Sequence, residues 1–300
     1  MTPSQLMREE QRASWIKIQK PDMIDIPPAQ AQLIGRISAD AFDGGHTVHW
    51  LTGLGAAAIY RSVRDARTGH TIHCVSDRPF DLLTQDLAFG LRLMAWMSRR
   101  AYIWYWWDQP WIRELPAGVD PGRDHVNGGW AVPGVLEVHV YRREEAHKVM
   151  LHESVHALGL DVPMSAIEPV RGEFERVLGR QLWPHLGEAF TELFAEWLWS
   201  TVRGRPWAEQ EACSAKQAAQ VWVRIRDAKG AEDTNVFAYY VLKWVLMRHL
   251  DEVLMAPDLS VRHWFHWWIS AKPILEDAAN KVTDSESANL LMGMTCGTRA

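Results

Sequence analysis

Three hundred residues, 47% hydrophobic and 23% charged, suit a soluble globular chain: one large domain, or a domain with a helical annex. A formal net charge of −5 argues against generic nucleic-acid binding, and three scattered cysteines (Cys74, Cys213, Cys296) indicate neither a disulfide framework nor a cysteine-rich zinc knuckle. No apolar run approaches membrane-spanning length and residues 1–20 lack a secretory pattern, so the default expectation is a cytoplasmic protein without a membrane partner.

Residues 1–40 begin polar, pass Pro21 and Pro27-Pro28, and end in a short helix from Ala29 to about Ala39; they read as an N-terminal extension. From there to residue 160 the pattern is that of a sheet-bearing subdomain. His46–Leu51, Ala58–Val63 and Thr71–Val75 are expected strands, the last two joined by a turn at Asp65–Gly69. His46, His49, His70 and His73 are read as residues on exposed strand faces rather than as a metal site. Pro79–Arg100 has the apolar spacing of a helix, with Leu83, Leu87, Leu91 and Met94 on one side. Trp104–Trp107 is a short buried strand. After a Pro/Gly-rich loop, Val135–Tyr141 reads as the sheet's edge strand. Residues 161–300 are expected to be mainly helical, with helices at Glu188–Val202, Ala208–Asp227, Val236–Leu254 and Val261–Ala271, the last closed by Pro273. The chain carries 17 Trp, densest in Tyr102–Trp107 and His263–Trp268, and core packing accounts for most of them. The last residues, Ser285–Ala300, are a strand or a loose tail. The expected fold class is α+β, with a small mixed sheet, a backing helix and a helical C-terminal half.

One stretch carries chemistry: Met150-Leu151-His152-Glu153-Ser154-Val155-His156-Ala157-Leu158-Gly159. On a helix, His152 and His156 lie one turn apart on one face, where two neutral imidazoles can close on one zinc ion. Glu153, one residue along, is placed to act as general base toward an activated water. Val149, Met150, Leu151, Val155, Ala157 and Leu158 surround the motif, so the helix is expected to be buried nearly all round. Buried His and Glu need partners, which a metal supplies. Gly159 marks the helix stop.

The motif resembles that of the zincin metallopeptidases. Val162 stands where a metzincin would carry its third histidine, and Asp161 is one place early for the aspartate variant. Leu186-Gly187-Glu188-Ala189-Phe190-Thr191-Glu192 is similar to the segment carrying the glutamate ligand in aminopeptidase-type gluzincins. That resemblance implies Glu188 as third zinc ligand and Glu192, one turn on, as acceptor of a ligand histidine's ring N–H. Glu188 lies 32 positions after His156, longer than the family's usual gap, so Asp161–His185 must fold as an excursion. A register shifted by one turn, with Glu192 as ligand and Glu196 behind it, has the same spacing. The resemblance also implies a tyrosine or histidine steadying the oxyanion. Tyr240 and Tyr239 are the first choices, then His249, His263 and His266.

The expected activity is zinc-dependent hydrolysis of peptide bonds in a peptide or protein substrate, with His152, His156 and Glu188 holding Zn²⁺ and Glu153 as base. Two rivals are an inactive zincin-like scaffold with a structural zinc, and a metal-free helical binding module using its Trp clusters. Glu153 weighs against the scaffold, since a structural site has no use for a general base.

Overall fold

The structure, a computed structural model, describes residues 3–38, 45–112, 114–116, 119–226, 231–283 and 290–291. In chain order the first elements are α1 (Pro3–Lys17), β1 (Met23–Ile26), α2 (Gln30–Ser38), α3 (His46–Leu54), β2 (Ile59–Asp65), β3 (Thr71–Ser76), α4 (Phe80–Met97) and β4 (Ile103–Gln109). Then come β5 (Glu114–Leu115), α5 (Arg123–Val126), β6 (Gly129–Ala131), β7 (Glu137–Arg142) and α6 (Ala146–Ala157). The helical remainder is α7 (Met164–Leu178), α8 (Glu188–Arg203), α9 (Trp207–Ile225), a π-helical turn (Phe237–Leu242), α10 (Lys243–Met247), α11 (Leu250–Met255) and α12 (Pro257–Ala279), followed by β8 (Leu290–Leu291). The fold is α+β with a six-stranded mixed sheet. The chain forms two compact units: Ala13–Ile112 with Asn127–Leu160, and Met1–Arg12 with Arg113–Val126 and Asp161–Ala300.

The first unit holds the sheet, in the order β1-β2-β3-β4-β7-β6. β3, β4 and β7 run parallel, and β2, β1 and β6 are added antiparallel at the sides. Period-two alternation sorts the side chains onto two faces. Tyr105, Trp107, Tyr141 and Val75 point to one face, where Leu33 and Ile37 of α2 and Trp50 of α3 cover them. Trp104, Ile72 and their neighbours point to the other. There Gly90 of α4 comes so close that an added Cβ would lie 2.5 Å from Trp104 Cζ3 and 3.0 Å from Ile72 Cδ1. Glycine at 90 is what lets α4 lie flat on a tryptophan strand.

A row of ring side chains crosses the sheet in register. His73 pairs with Tyr105, Tyr105 with His139, and His139 with Trp130. Ring centroids are 5.3, 5.1 and 3.8 Å apart along that row, and His139 and Trp130 are parallel within 2°.

The second unit is built on helix packing. Phe174 of α7, Phe237 of the π turn, and Phe265 and Trp268 of α12 form one aromatic core, which Trp222 of α9 joins. Glu232 starts the π turn by accepting the Phe237 N–H (3.0 Å) and the Trp183 N–H (3.2 Å), and it pairs with Arg180. No helix among the described residues is long and apolar enough to cross a membrane.

Several sequence expectations need correcting. His46–Leu51 is helical, not a strand: Thr47 and Trp50, one turn apart, are the buried pair. Val135–Tyr141 is not the edge. Its core, β7, lies between β4 and β6, and among the described residues β6 ends the sheet. The expected Pro/Gly-rich loop, Pro116–Gly129, ends at the first residue of a three-residue strand, β6, which its glycines hid. His70 and His73 are buried, not exposed. His73 Nδ1 meets Ser62 Oγ at 2.7 Å, and His70 Nε2 meets the Ser98 carbonyl at 3.0 Å. Val236–Leu254 breaks at His249, whose φ of −116° and ψ of 33° leave the helical region. Pro273 lies inside α12 rather than ending it; proline removes one backbone donor, and the packing of Trp264, Trp268 and Leu275 keeps the helix running through it. Cys74 is free and buried. The expected tail at Ser285–Ala300 lies largely outside the described residues; of it, Leu290–Leu291 pairs with β5.

Candidate metal centre

α6 starts from a tightly held turn. Arg143, just past β7, donates its backbone N–H to the Gln109 carbonyl (2.7 Å) and its guanidinium to Asp108 (3.2 Å) and Asp77. Asp108, at the end of β4, also accepts from Arg78 and from Ser76 Oγ, each at 2.5 Å. Burial raises the Asp108 carboxyl above its usual range, and the Ser76 hydroxyl and the two guanidiniums offset part of that. Glu145, the residue before the helix, sits at φ 56°, a left-handed conformation that costs a non-glycine residue about 1 kcal/mol.

Along the helix, His147 donates from Nε2 to the Asp86 carbonyl (2.9 Å), and its ring meets Phe89, Trp104 and Trp106 edge-on. Burial holds this imidazole below its ordinary pKa, so it is neutral near pH 7. One turn past His147, Met150 accepts the Ser154 hydroxyl at its carbonyl (2.7 Å), and Ser154 also meets Tyr102 Oη at 3.1 Å. Gly159, at φ 68°, closes the helix. Its N–H bonds to the His156 carbonyl and the Leu160 N–H to the Val155 carbonyl, both at 2.9 Å. That pair of bonds is a Schellman stop, and it needs a left-handed residue where the glycine stands.

Between these fixed ends lie His152, Glu153 and His156. The first two are buried and His156 is half-buried; every other residue of α6 except His147 is buried as well. His152 Nε2 and His156 Nε2 are 3.3 Å apart, with ring planes at 70°. Two nitrogens each about 2.0–2.1 Å from a tetrahedral zinc would be about 3.3–3.4 Å apart. The separation therefore fits a shared metal, and also fits one ring donating to the other. One ligand atom from each of His152, Glu153 and His156 lies within 4.8 Å of the others. Among the described residues this is the one such group of three His, Cys, Asp or Glu side chains.

Gly129 on edge strand β6 packs against this helix. A Cβ there would overlap the His139 carbonyl and come within 3.0 Å of Val149 Cγ1 and 3.2 Å of Glu153 Cγ. The edge strand thus runs directly beside the glutamate. The tandem glycines at 128 and 129 were the available signal for this approach.

The remaining sequence candidates belong to the other compact unit. Glu188 is the first residue of α8 and half-buried, while Glu192 and Glu196, one and two turns on, are buried. Glu192 Oε1 faces Lys243 Nζ at 3.8 Å, a partner the sequence reading did not consider. Tyr239 and Tyr240 are buried in the π turn. His249 lies flat on Trp267 at 4.2 Å, and His263 stacks on the same indole at 5.8 Å. His266 is exposed on α12.

Comparison of the chain with known protein families, with curated proteins and with solved structures finds no match.

Proposed function

We propose that this protein is a zinc-dependent metallopeptidase of zincin type, with His152, His156 and Glu188 as metal ligands and Glu153 as general base. The observation that carries the reading is the His152–His156 pair. Two imidazoles converge at the spacing of tetrahedral zinc ligands, on a helix held at both ends and buried on nearly every side. Zinc bound there would polarise a scissile carbonyl and favour attack by water. Glu153 takes the proton of the attacking water at its carboxylate and releases it to the departing amine. Gly129 keeps the base in place by allowing the backbone of β6 to press on its side chain. An extended peptide adding as a further strand to β6, which ends the sheet among the described residues, would run past Glu153. The family resemblance would make Glu192 the acceptor of a ligand histidine's ring N–H and Tyr240 the group that steadies the oxyanion.

Glu153→Gln tests the reading. The amide keeps the shape and removes the base, so hydrolysis of a mixed peptide library should be lost while the zinc content stays that of the wild type. Wild-type rates in Glu153→Gln would remove the mechanism.

A further inference from the structure

We propose that Trp130 is a positioning residue for the substrate strand, seated on the ring of His139; the inference rests on the peptidase reading above, with β6 as the edge to which the peptide adds. β6 pairs Gly129 with Val140, Trp130 with His139 and Ala131 with Val138. Just before it, the Gly128 carbonyl accepts the Tyr141 N–H at 2.9 Å. Bonded and non-bonded pairs alternate along an antiparallel ladder. Trp130, two residues on from Gly128, therefore turns its backbone groups inward to β7, while Gly129 and Ala131 turn theirs to the edge. The residues that would pair with an added strand are thus the two whose side chains are too small to hold β6 in place. That task falls to Trp130.

Its indole lies 3.8 Å from the His139 ring and parallel to it within 2°. The seat is itself held. His139 stacks against Tyr105 at 5.1 Å and Trp107 at 5.9 Å, and Tyr105 packs on His73, which meets Ser62 Oγ at 2.7 Å. Neither ring nitrogen of His139 has a hydrogen-bond partner among the described residues, so what this buried ring offers its neighbours is its flat face. A stacked pair of this kind biases an equilibrium about 3–10-fold. On so short a strand the bias acts on whether the edge stands ready. Without it, β6 samples twists in which the Gly129 and Ala131 backbone groups point off the line of an added strand, and the apparent affinity for a peptide falls with the competent fraction. Gly129 bears on Glu153 from one face of the strand, and alternation puts Trp130 on the other. Trp130 therefore governs docking of the peptide and not the proton transfer.

The experiment is steady-state kinetics on an extended quenched-fluorescence peptide drawn from those the wild type cleaves, with zinc content measured alongside. Trp130→Ala should raise KM about 3–10-fold and leave kcat within about twofold, because binding is lost and chemistry is not. Trp130→Phe, which keeps a ring for the seat, should restore most of the KM. His139→Ala should raise KM as Trp130→Ala does, and His139→Phe should recover most of that loss. The double variant Trp130→Ala/His139→Ala should lose no more than either alone. Should Trp130→Ala fail to fold, Trp130→Leu keeps apolar volume without the ring face and carries the same expectation. A tryptophan that serves the core alone would lower the denaturant midpoint on substitution and leave KM as it was. That result, a loss confined to kcat, or a loss of zinc in step with KM would overturn the positioning role. A wild-type protein that cleaves no peptide would instead overturn the reading beneath it.

Discussion

In the proposed ligand set Glu188 and Glu192 have different tasks on neighbouring turns of one helix, and the difference is measurable. Glu188→Ala removes a metal bond and should abolish most of the zinc affinity. Glu192→Ala leaves the ligands in place and should cost about 10–100-fold. Zinc dissociation constants for the two variants decide the register, and a larger loss at Glu192 would place the ligand helix one turn out. Gly129 makes a second residue-scale test. An alanine there overlaps the His139 carbonyl and crowds Glu153, so Gly129→Ala should destabilise by about 2 kcal/mol through overpacking, seen as a lower denaturant midpoint. At this scale the sequence was legible where spacing encodes geometry: His-Glu-x-x-His states the convergence of its rings outright. Gly129 was legible only as one of a pair of glycines, because the groups it touches, the His139 carbonyl and Glu153, are remote from it in sequence.

Helices with a clear period, such as α4, α6, α8 and α9, lie close to where the pattern places them. The errors came where local pattern and packing disagree. His46-Thr47-Val48-His49-Trp50-Leu51 alternates like a strand for a few residues, yet it is helical, with Thr47 and Trp50 on its buried side. The edge position of β6 depends on which strands pair, and no local signal reports that. The same holds for the rivet between strand ends and helix start, in which Asp108 joins Arg78 and Arg143. Asp108→Asn removes one charge from a buried cluster and leaves two guanidiniums under-compensated. It should cost about 2 kcal/mol, less than for a fully buried pair because both arginines keep some contact with water. A melt of this variant matching the wild type would show that the cluster does not hold the launch of α6.

At the scale of the whole molecule, the buried histidines set the response to acid. Burial depresses His70, His73, His139 and His147 below the ordinary histidine pKa, His139 to about 3. The unfolded chain takes up protons near pH 6.5 while the native one does not. The stability held by these rings is therefore complete above that pH and falls as pH drops toward the folded pKa values. Each ring contributes a slope of about 1.4 kcal/mol per pH unit inside its own window. Denaturation midpoints should thus be flat above pH 7 and decline from pH 6 to pH 4, and His139→Phe should lessen the decline; a flat profile to pH 4 would contradict neutral burial. The central claim concerns zinc, and metal content tests it most directly. Wild-type protein stripped by a chelator and then given zinc in slight excess should hold one zinc per chain after gel filtration, and His156→Ala should hold none under the same treatment. Zinc absent from the wild type, or retained equally by His156→Ala, would contradict the account.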